Sequence, residues 1–317
     1  MRVCLMIEGQ EGVGWEQWLA LAQACEDAGL EGLFRSDHYT SVFGALDRGS
    51  LDAWTTLAGL AARTSRIRLG TMVSPATFRH PSALARAAAT VDHISGGRAE
   101  LGLGAGWYEL EHRAHGFAFP EHEARLEAFA EQLEIVHRQW TEETFDFAGR
   151  HYELTDCRAL PKPVQRPRPP LIVGGNAWPG TLEPAIRFAD EYNTPIASLQ
   201  TCRERHARVV LACERADRDP ATLPFSLMTP CLVAEDRAAL LRCARRVMQI
   251  SGDGGEPEAF LEELPDTWVA GTVEEVVEQL TALEEVGVTR IMLQHLAHDD
   301  LETVALLGER VLPLLGS

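Results

Sequence analysis

The feature that most constrains the fold is an alternation of short apolar runs with segments of helical periodicity along most of the chain. Apolar runs bounded by polar residues and glycines indicate buried strands, and strands alternating with helices indicate a parallel sheet covered by helices. We predict eight strands, at residues 3–7, 32–36, 67–73, 99–104, 171–173, 189–194, 225–233 and 290–293. Eight strand–helix units in 317 residues predict an α/β fold, the (β/α)8 TIM barrel with insertions.

We expect residues 1–317 to form a single domain, with insertions at about 140–168 and 200–265. Residues 144–154 alternate in character on both sides of Ala148-Gly149, which indicates a hairpin. A doubly wound open sheet is the structural alternative, and its signature is Gly-x-Gly-x-x-Gly directly after the first strand. The glycines that follow the first strand have the wrong spacing, and Trp107 stands where a third glycine would follow Gly102 and Gly104.

Lysine chemistry is nearly excluded, because the chain has 28 arginines and one lysine. Lys162 lies in a proline-rich segment, a poor place for the desolvated amine that a Schiff-base enzyme needs. The net charge of −18 disfavours nucleic acid and anionic membranes as partners. Seven cysteines without Cys-x-x-Cys spacing, no signal-peptide pattern and no long apolar run lead us to expect a cytoplasmic protein.

The second predicted strand ends in the segment Arg35-Ser36-Asp37-His38-Tyr39. Functional groups of (β/α)8 barrels lie where strands end and loops begin. An acid, an imidazole and a phenol at one strand end can position a substrate or move a proton. The residues alone leave a second interpretation open, in which Asp37 caps a turn and His38 is a structural polar residue.

Glycine-rich loops follow the fourth and fifth predicted strands. Gly104-Ala105-Gly106 lets the backbone approach a ligand closely, and Trp107 adds aromatic surface. Gly174-Gly175-Asn176 precedes a predicted helix, so its N–H groups would suit a phosphate. The alternative is that these loops are plain connections. The functional interpretation is a site that binds a large planar ligand with an anionic tail. A small-molecule substrate would bind beside this ligand.

Histidines and glutamates are dense between Glu111 and His122, which raises the question of a metal site. Neither His-x-His in the first strand nor His-Glu-x-x-His occurs, and histidine-rich helix faces are more often solvated. We therefore expect no metal, and a metal-dependent barrel hydrolase is the more distant alternative. The Gly-x-Ser-x-Gly pattern of serine hydrolases does not occur in the sequence.

Ten segments in a fixed order carry a family resemblance. They are residues 36–38, 68–71, 78–81, 89–98, 101–107, 111–116, 162–165, 174–175, 270–272 and 287–290. Together they resemble the luciferase-like monooxygenase superfamily, and within it the branch described as coenzyme F420-dependent oxidoreductases. Relatives that bind FMN share most of these motifs.

The resemblance implies a barrel that binds a flavin or deazaflavin at the carboxyl ends of its strands. It implies a non-proline cis peptide bond between Met72 and Val73, behind the central ring of the cofactor. Asp37 matches the position that contacts the ring system, and His38 matches the proton donor or acceptor. The remaining cofactor-binding positions are Gly104, Ala105, Gly106 and Trp107 in one loop and Gly174, Gly175 and Asn176 in the other.

The activity implied by the resemblance is hydride transfer between coenzyme F420 and a small organic substrate, with His38 and Asp37 as catalytic residues. The alternatives are an FMN-dependent monooxygenase that uses molecular oxygen and a catalytically silent flavin-binding barrel. Trp107 replaces the glutamate of deazaflavin-dependent sugar-phosphate dehydrogenases, so we do not infer their substrate. A homodimer is the assembly that the resemblance suggests.

An anionic cofactor in so acidic a protein needs a local cationic pocket. With one lysine in the chain, that cation must be an arginine or a histidine. We expect it among Arg79, Arg166, Arg168 and Arg187. If none of these lines the cleft, FMN becomes the better candidate, because it lacks the glutamate tail of F420.

Overall fold

The structure, a computed structural model, describes residues 1–45 and 47–316. Its strands are β1 (Arg2–Ile7), β2 (Gly32–Arg35), β3 (Arg68–Thr71), β4 (Ser74–Pro75), β5 (Ala99–Gly104), β6 (Phe145–Ala148), β7 (Glu153–Cys157), β8 (Leu171–Gly174), β9 (Glu191–Pro195), β10 (Phe225–Ala234), β11 (Val269–Thr272) and β12 (Val288–Gln294). Its helices are α1 (Trp15–Asp27), α2 (Ala53–Ala61), α3 (Pro81–Ser95), α4 (Glu109–His115), α5 (His122–Thr141), α6 (Pro179–Phe188), α7 (Leu199–Arg215), α8 (Arg237–Ser251), α9 (Pro257–Glu262), α10 (Val273–Glu285) and α11 (Leu301–Leu306). None of the described helices combines the length and the apolar character that crossing a membrane requires.

Eight of these strands form a closed parallel barrel in the order β10, β12, β1, β2, β3, β5, β8 and β9. The ring closes where β9 pairs with β10, and Thr194 lies opposite Leu227 there. Helices connect the strands on the outside, so the predicted (β/α)8 barrel is confirmed. All eight predicted strands are present, and their ends lie within two residues of the predicted ones.

The remaining strands extend the barrel or lie outside it. β4 follows Met72 and Val73 and pairs with the end of β5, and β11 pairs with the end of β10. β6 and β7 form an antiparallel hairpin, which confirms the one predicted around Ala148-Gly149. Within residues 200–265, β10 belongs to the ring, while α8 and α9 follow it on the outside.

Alternation along the ring strands divides the apolar residues between two cores. In β1, Cys4 and Met6 point into the barrel and join a small central cluster with Phe34. The alternate residues Leu5 and Ile7 join the larger cluster between the strands and the helices. The side chains of the central cluster fill the barrel, so a ligand has room only at the strand ends.

A buried ionic cluster fills the barrel near the amino ends of the strands. Arg290 Nη1 donates to Glu100 Oε2 at 2.7 Å and to Glu191 Oε2 at 3.1 Å, and all three residues are buried. Burial favours a higher pKa for Glu100, but Arg290 and Arg68 outweigh it and hold that pKa below its usual range. Burial raises the pKa of Glu191, with a further contribution from Glu100. Arg290 therefore bridges two buried carboxylates, and Arg68 adds a second cation at Glu100.

Candidate functional site

A cavity of about 690 Å³ opens at the carboxyl ends of the barrel strands. This volume is typical of a small-molecule site. Ten of the residues predicted from the sequence line it: His38, Met72, Val73, Gly104, Ala105, Gly106, Trp107, Gly174, Gly175 and Asn176. They belong to the loops that follow β2, β3, β5 and β8. Closure of the barrel brings these loops to one mouth.

His38 is held by a carboxylate of α4, the helix that follows β5. Its Nδ1 lies 2.6 Å from Glu111 Oε1, and Glu111 Oε2 accepts the backbone N–H of Tyr39 at 3.0 Å. Glu111 lies on α4 and is fully buried. The second ring nitrogen of His38 has no hydrogen-bond partner among the described residues, and the ring lines the cavity. The ring is therefore oriented from one side and available from the other.

The environment of His38 favours its protonated form. Burial on its own lowers the pKa of this imidazole, but the hydrogen bond and the charge of Glu111 outweigh burial, and Glu8 and Asp37 add to them, so the pKa is raised. A histidine titrates near neutrality in its unperturbed state, so a raised pKa keeps a proton available at neutral pH. His38 can thus donate a proton to a molecule in the cavity and accept one from it.

Two aromatic rings lie beside His38, and one of them, Trp107, lines the cavity. Trp107 and Tyr108 stack on each other with ring centroids 5.0 Å apart, and Trp107 meets the His38 ring edge-on at 5.7 Å. The Tyr108 hydroxyl donates to the carbonyl of Ser41 at 3.1 Å, which ties this loop to the one after β2. Trp107 is 65% exposed, an unusual exposure for an indole that lines a cavity.

Asp37 differs from the prediction, because it does not line the cavity. Its carboxylate is buried and accepts the Ser74 hydroxyl at 2.6 Å and the Arg79 guanidinium at 2.5 Å and 3.1 Å. Arg79 also donates to Asp52 at 2.8 Å. The contacts of Asp37 therefore fix the strand ends behind the cavity wall, and they leave its carboxylate engaged by protein groups.

The prediction that one of four arginines lines the cleft is wrong. Arg79 is paired with Asp37, as described above, and Arg166 donates to carbonyl groups of its own loop. Arg168 pairs with Asp190 at 2.5 Å, and Arg187 pairs with Glu134 at the surface. Each guanidinium donates to a nearby carboxylate or carbonyl group. The spacing of residues in the sequence does not predict these partners. No lysine or arginine among the described residues lines the cavity.

The predicted non-proline cis peptide bond between Met72 and Val73 is present. The Val73 side chain presses against two glycines of the neighbouring loops. A Cβ at Gly104 would lie 2.7 Å from Val73 Cγ2, and one at Gly174 would lie 3.0 Å from Val73 Cγ1. The first distance is shorter than real Cβ contacts and the second is tighter than most of them, so a side chain at either position would have to displace Val73. Residues 72–73, here called the bulge, lie between β3 and β4. The bulge and the two glycine loops form one packed surface of the cavity.

The loop after β8 supplies backbone donors. Tyr192 holds the loop, because its hydroxyl accepts the Ala177 N–H at 2.8 Å and contacts the Thr181 hydroxyl at 2.7 Å. Ala177 has a φ of 56°, a conformation that non-glycine residues rarely adopt. The N–H groups of Asn176 and Gly180 find no acceptor among the described residues. They are free to bind an anionic group, as at other helix N-termini.

In addition to these backbone groups, the side chain of His122 can donate a hydrogen bond to an anion in the cavity. It is the first residue of α5 and lines the cavity. One turn later, Leu126 packs against the first turn of α6, since a Cβ at Gly180 would lie 2.6 Å from Leu126 Cδ1. From the sequence, His122 was noted only as part of a segment rich in histidine and glutamate. Its position at the cavity depends on the packing of α5 against α6.

Glu8 and Gln294 are cavity residues that the sequence analysis missed. Glu8 follows β1, and its Oε2 accepts Gln10 Nε2 at 2.7 Å, while its Oε1 accepts Gln294 Nε2. Both stand at the carboxyl ends of ring strands, so the rule applied to His38 could have found them. His112, by contrast, is engaged by the Tyr108 carbonyl and the Thr77 hydroxyl. Across the described residues, no three His, Cys, Asp or Glu side chains converge as a metal site requires.

Comparison with known proteins identifies the family of this barrel. The family model described as luciferase-like monooxygenase matches residues 3–290. The chain belongs to the luciferase-like monooxygenase family.

Some relatives of the chain are named for FMN and others for F420. It is 26% identical to an FMNH(2)-dependent dimethylsulfone monooxygenase of Pseudomonas putida, over 93% of this chain and 86% of that protein. It is 28% identical to an F420-dependent glucose-6-phosphate dehydrogenase of Nakamurella multipartita, over 96% of this chain and 94% of that protein. In fold it resembles the coenzyme F420-dependent tetrahydromethanopterin reductase of Methanopyrus kandleri, with a TM-score of 0.82, 20% identity and all of both chains covered.

Proposed function

We propose that this protein is an F420-dependent oxidoreductase that exchanges a hydride with a small organic substrate. The observation that carries the proposal is the His38–Glu111 pair at the edge of a largely apolar cavity in a luciferase-like barrel. The bound deazaflavin supplies or accepts the hydride, and the protein supplies binding, orientation and the proton. The relatives named for F420 support this cofactor, as those named for FMN support the alternative.

His38 is the proton-handling residue of the proposed reaction. Reduction of a carbonyl places negative charge on the substrate oxygen, and the ring nitrogen that faces the cavity donates a proton to it. Oxidation of an alcohol runs in reverse, and the same nitrogen accepts the proton. Glu111 orients the ring through Nδ1 and stabilises the imidazolium. Trp107 covers one edge of the ring.

The surface formed by Val73 and the two glycine loops is the proposed place for the cofactor. The fit rests on the glycine positions, where a side chain could be added only by displacing Val73. The phosphate would be bound by the N–H groups of Asn176 and Gly180 and by His122. These donors suit the phosphodiester of F420, which carries one negative charge, better than the phosphomonoester of FMN, which carries nearly two.

An FMN-dependent monooxygenase is the second candidate. One observation favours it: none of the four arginines expected for the acidic tail of F420 lines the cavity. FMN has no such tail. The tail and the phosphate thus favour different cofactors, and binding measurements with matched ligands separate their contributions.

Replacing His122 with alanine is expected to weaken F420 binding about 10- to 100-fold, the effect of losing one hydrogen bond to an anion. Binding of the deazaflavin core without phosphate is expected to stay unchanged. The measurement is a fluorescence titration of the purified protein with F420, with the phosphate-free core and with FMN. His93→Ala, which removes an exposed histidine of α3 outside the cavity, is the control. Equal weakening of F420 and of the phosphate-free core would exclude a phosphate contact, and FMN binding without F420 binding would establish the second candidate.

Replacing Glu111 with glutamine is expected to lower the pKa of His38. The substitution removes the charge and weakens the hydrogen bond that raise this pKa, while burial, which lowers it, remains. The glutamine oxygen still accepts the Tyr39 N–H, so α4 should stay in place. The measurement is the pH titration of the His38 ring signals by NMR, assigned by their absence in His38→Ala. An unchanged midpoint would show that Glu111 does not control the proton of His38.

A further inference from the structure

We propose that the substrate is an uncharged, largely apolar molecule, bound by one wall of the cavity. The proposal rests on the proposed function, because this wall is formed by cavity residues other than those assigned to the cofactor. Six residues form the wall, here called the apolar wall: Phe43, Ile196, Met228, Pro230, Trp268 and Leu296. They come from the sequence around β9, β10, β11 and β12 and from the loop after β2.

The apolar wall is backed by a packed core. Phe43, Trp268 and Leu296 belong to one apolar cluster that includes Phe260 of α9. The rings of Phe260 and Trp268 meet edge-to-face with centroids 6.2 Å apart. A wall supported in this way keeps its shape without a ligand, so it can select a substrate by shape and polarity.

Ile196 is the most exposed aliphatic residue of the wall. Its side chain is 48% exposed, and its backbone has a φ of 38°, which is rare for a β-branched residue. The backbone is held there by a hydrogen bond from the Ile196 N–H to the Met228 carbonyl at 2.7 Å. Backbone strain of this kind concentrates at ligand sites, where the surrounding structure enforces it. Ile196 is thus placed to contact the substrate directly.

The charges around the cavity disfavour an anionic substrate. Two carboxylates line it, Glu8 and Glu111, while no lysine or arginine among the described residues does. Glu111 is paired with His38, and Glu8 is bonded by two amide groups and by no cation. At the apolar wall a phosphate, sulfonate or carboxylate would lose its hydration without a lysine or arginine to pair with, because the charge of a protonated His38 is already compensated by Glu111. A neutral substrate has no such cost, and the wall buries its apolar surface.

Matched ligands test this inference on the cofactor-loaded protein. Cyclohexylmethanol and cyclohexanecarboxylate share one skeleton and differ in charge, and glucose 6-phosphate serves as a sugar phosphate. Binding is followed by the change in cofactor fluorescence. We expect cyclohexylmethanol to bind at millimolar concentrations and at least about tenfold more tightly than cyclohexanecarboxylate, because only the latter leaves a charge unpaired. Glucose 6-phosphate is expected not to bind at these concentrations.

The variant Ile196→Arg removes most of this selectivity if the apolar wall binds the substrate. It places a cation at the wall, and arginine tolerates the backbone there at least as well as a β-branched residue. We expect cyclohexanecarboxylate to bind at least about tenfold more tightly than to the wild type. Leu211→Arg adds the same charge at an exposed position of α7 outside the cavity and should change nothing.

The outcomes separate this inference from the proposed function. Equal or tighter binding of an anionic ligand by the wild type overturns the inference, and so does failure of cyclohexylmethanol to bind. Equal effects of Ile196→Arg and Leu211→Arg overturn it as well. In each case F420 binding by the same samples shows whether the proposed function stands, since the wall does not include the residues assigned to the cofactor.

Discussion

Replacing His38 with alanine is expected to lower the rate of proton-coupled hydride transfer by about 10²- to 10⁴-fold, the usual contribution of a positioned acid or base. The cofactor affinity should change by less than about twofold, because the proposed cofactor contacts lie in other loops. The reason for the large effect is that the described residues offer no second unengaged imidazole beside Glu111. The measurement is the single-turnover rate of cofactor oxidation with a neutral ketone, over a range of pH.

His115→Ala is the matched control for this experiment. His115 lies on the same helix as Glu111, packs beside Tyr39 and does not line the cavity. Its replacement should leave the rate within about twofold. A His38→Ala protein with the wild-type rate would show that the proton comes from another group. If His38→Ala lost its rate because it had unfolded, the unfolding curve would show this and the cofactor affinity would fall as well. A retained affinity therefore assigns the lost rate to the missing imidazole.

Replacing Arg290 with methionine is expected to destabilise the fold by about 3–5 kcal/mol, the range found when one partner of a buried ion pair is removed. Arg290 donates to Glu100 and Glu191 inside the barrel. Without it Glu100 would keep Arg68, but the buried Glu191 would be left with Arg2, 3.7 Å away, as its nearest cation. Glu191 already has a raised pKa and one oxygen without a partner among the described residues. The measurement is the free energy of unfolding in urea at neutral pH.

Arg2→Met is the control at the edge of the same ionic cluster. The Arg2 guanidinium is half exposed and lies 3.7 Å from Glu191. Its removal should cost less than about 1 kcal/mol, as for other exposed ion pairs. Equal losses in the two variants would contradict a dominant role of Arg290. So would an Arg290→Met protein as stable as the wild type.

The barrel could be predicted from the sequence because each ring strand is a short apolar run between helical segments. β5 was predicted with its observed ends, Ala99 and Gly104. β3 was predicted to run to Val73, but it ends at Thr71, where the chain turns into the bulge. The apolar pattern continues through the bulge, so periodicity alone does not mark the end of the strand.

The candidate site was predictable where its residues follow strand ends in the sequence. His38 and the glycine loops were found in this way, and they line one cavity. Glu111 was noted only as part of a cluster of ligand-type residues, because its approach to His38 depends on how α4 folds back over the loop after β2. The contacts of Asp37 and Arg79 with each other have the same origin. Each satisfies the other's buried charge, and no spacing rule predicts such a pair across 42 residues.

An oxygen-free single-turnover experiment tests F420-dependent hydride transfer most directly. The protein is loaded with reduced F420 and mixed with cyclohexanone, and cofactor oxidation is followed by absorbance, with reduced FMN in a parallel sample. We predict that F420 is oxidised at the same rate with and without oxygen, and that one cyclohexanol forms per cofactor oxidised. Substrate conversion that occurs only with reduced FMN and only in the presence of oxygen would contradict this and identify a monooxygenase.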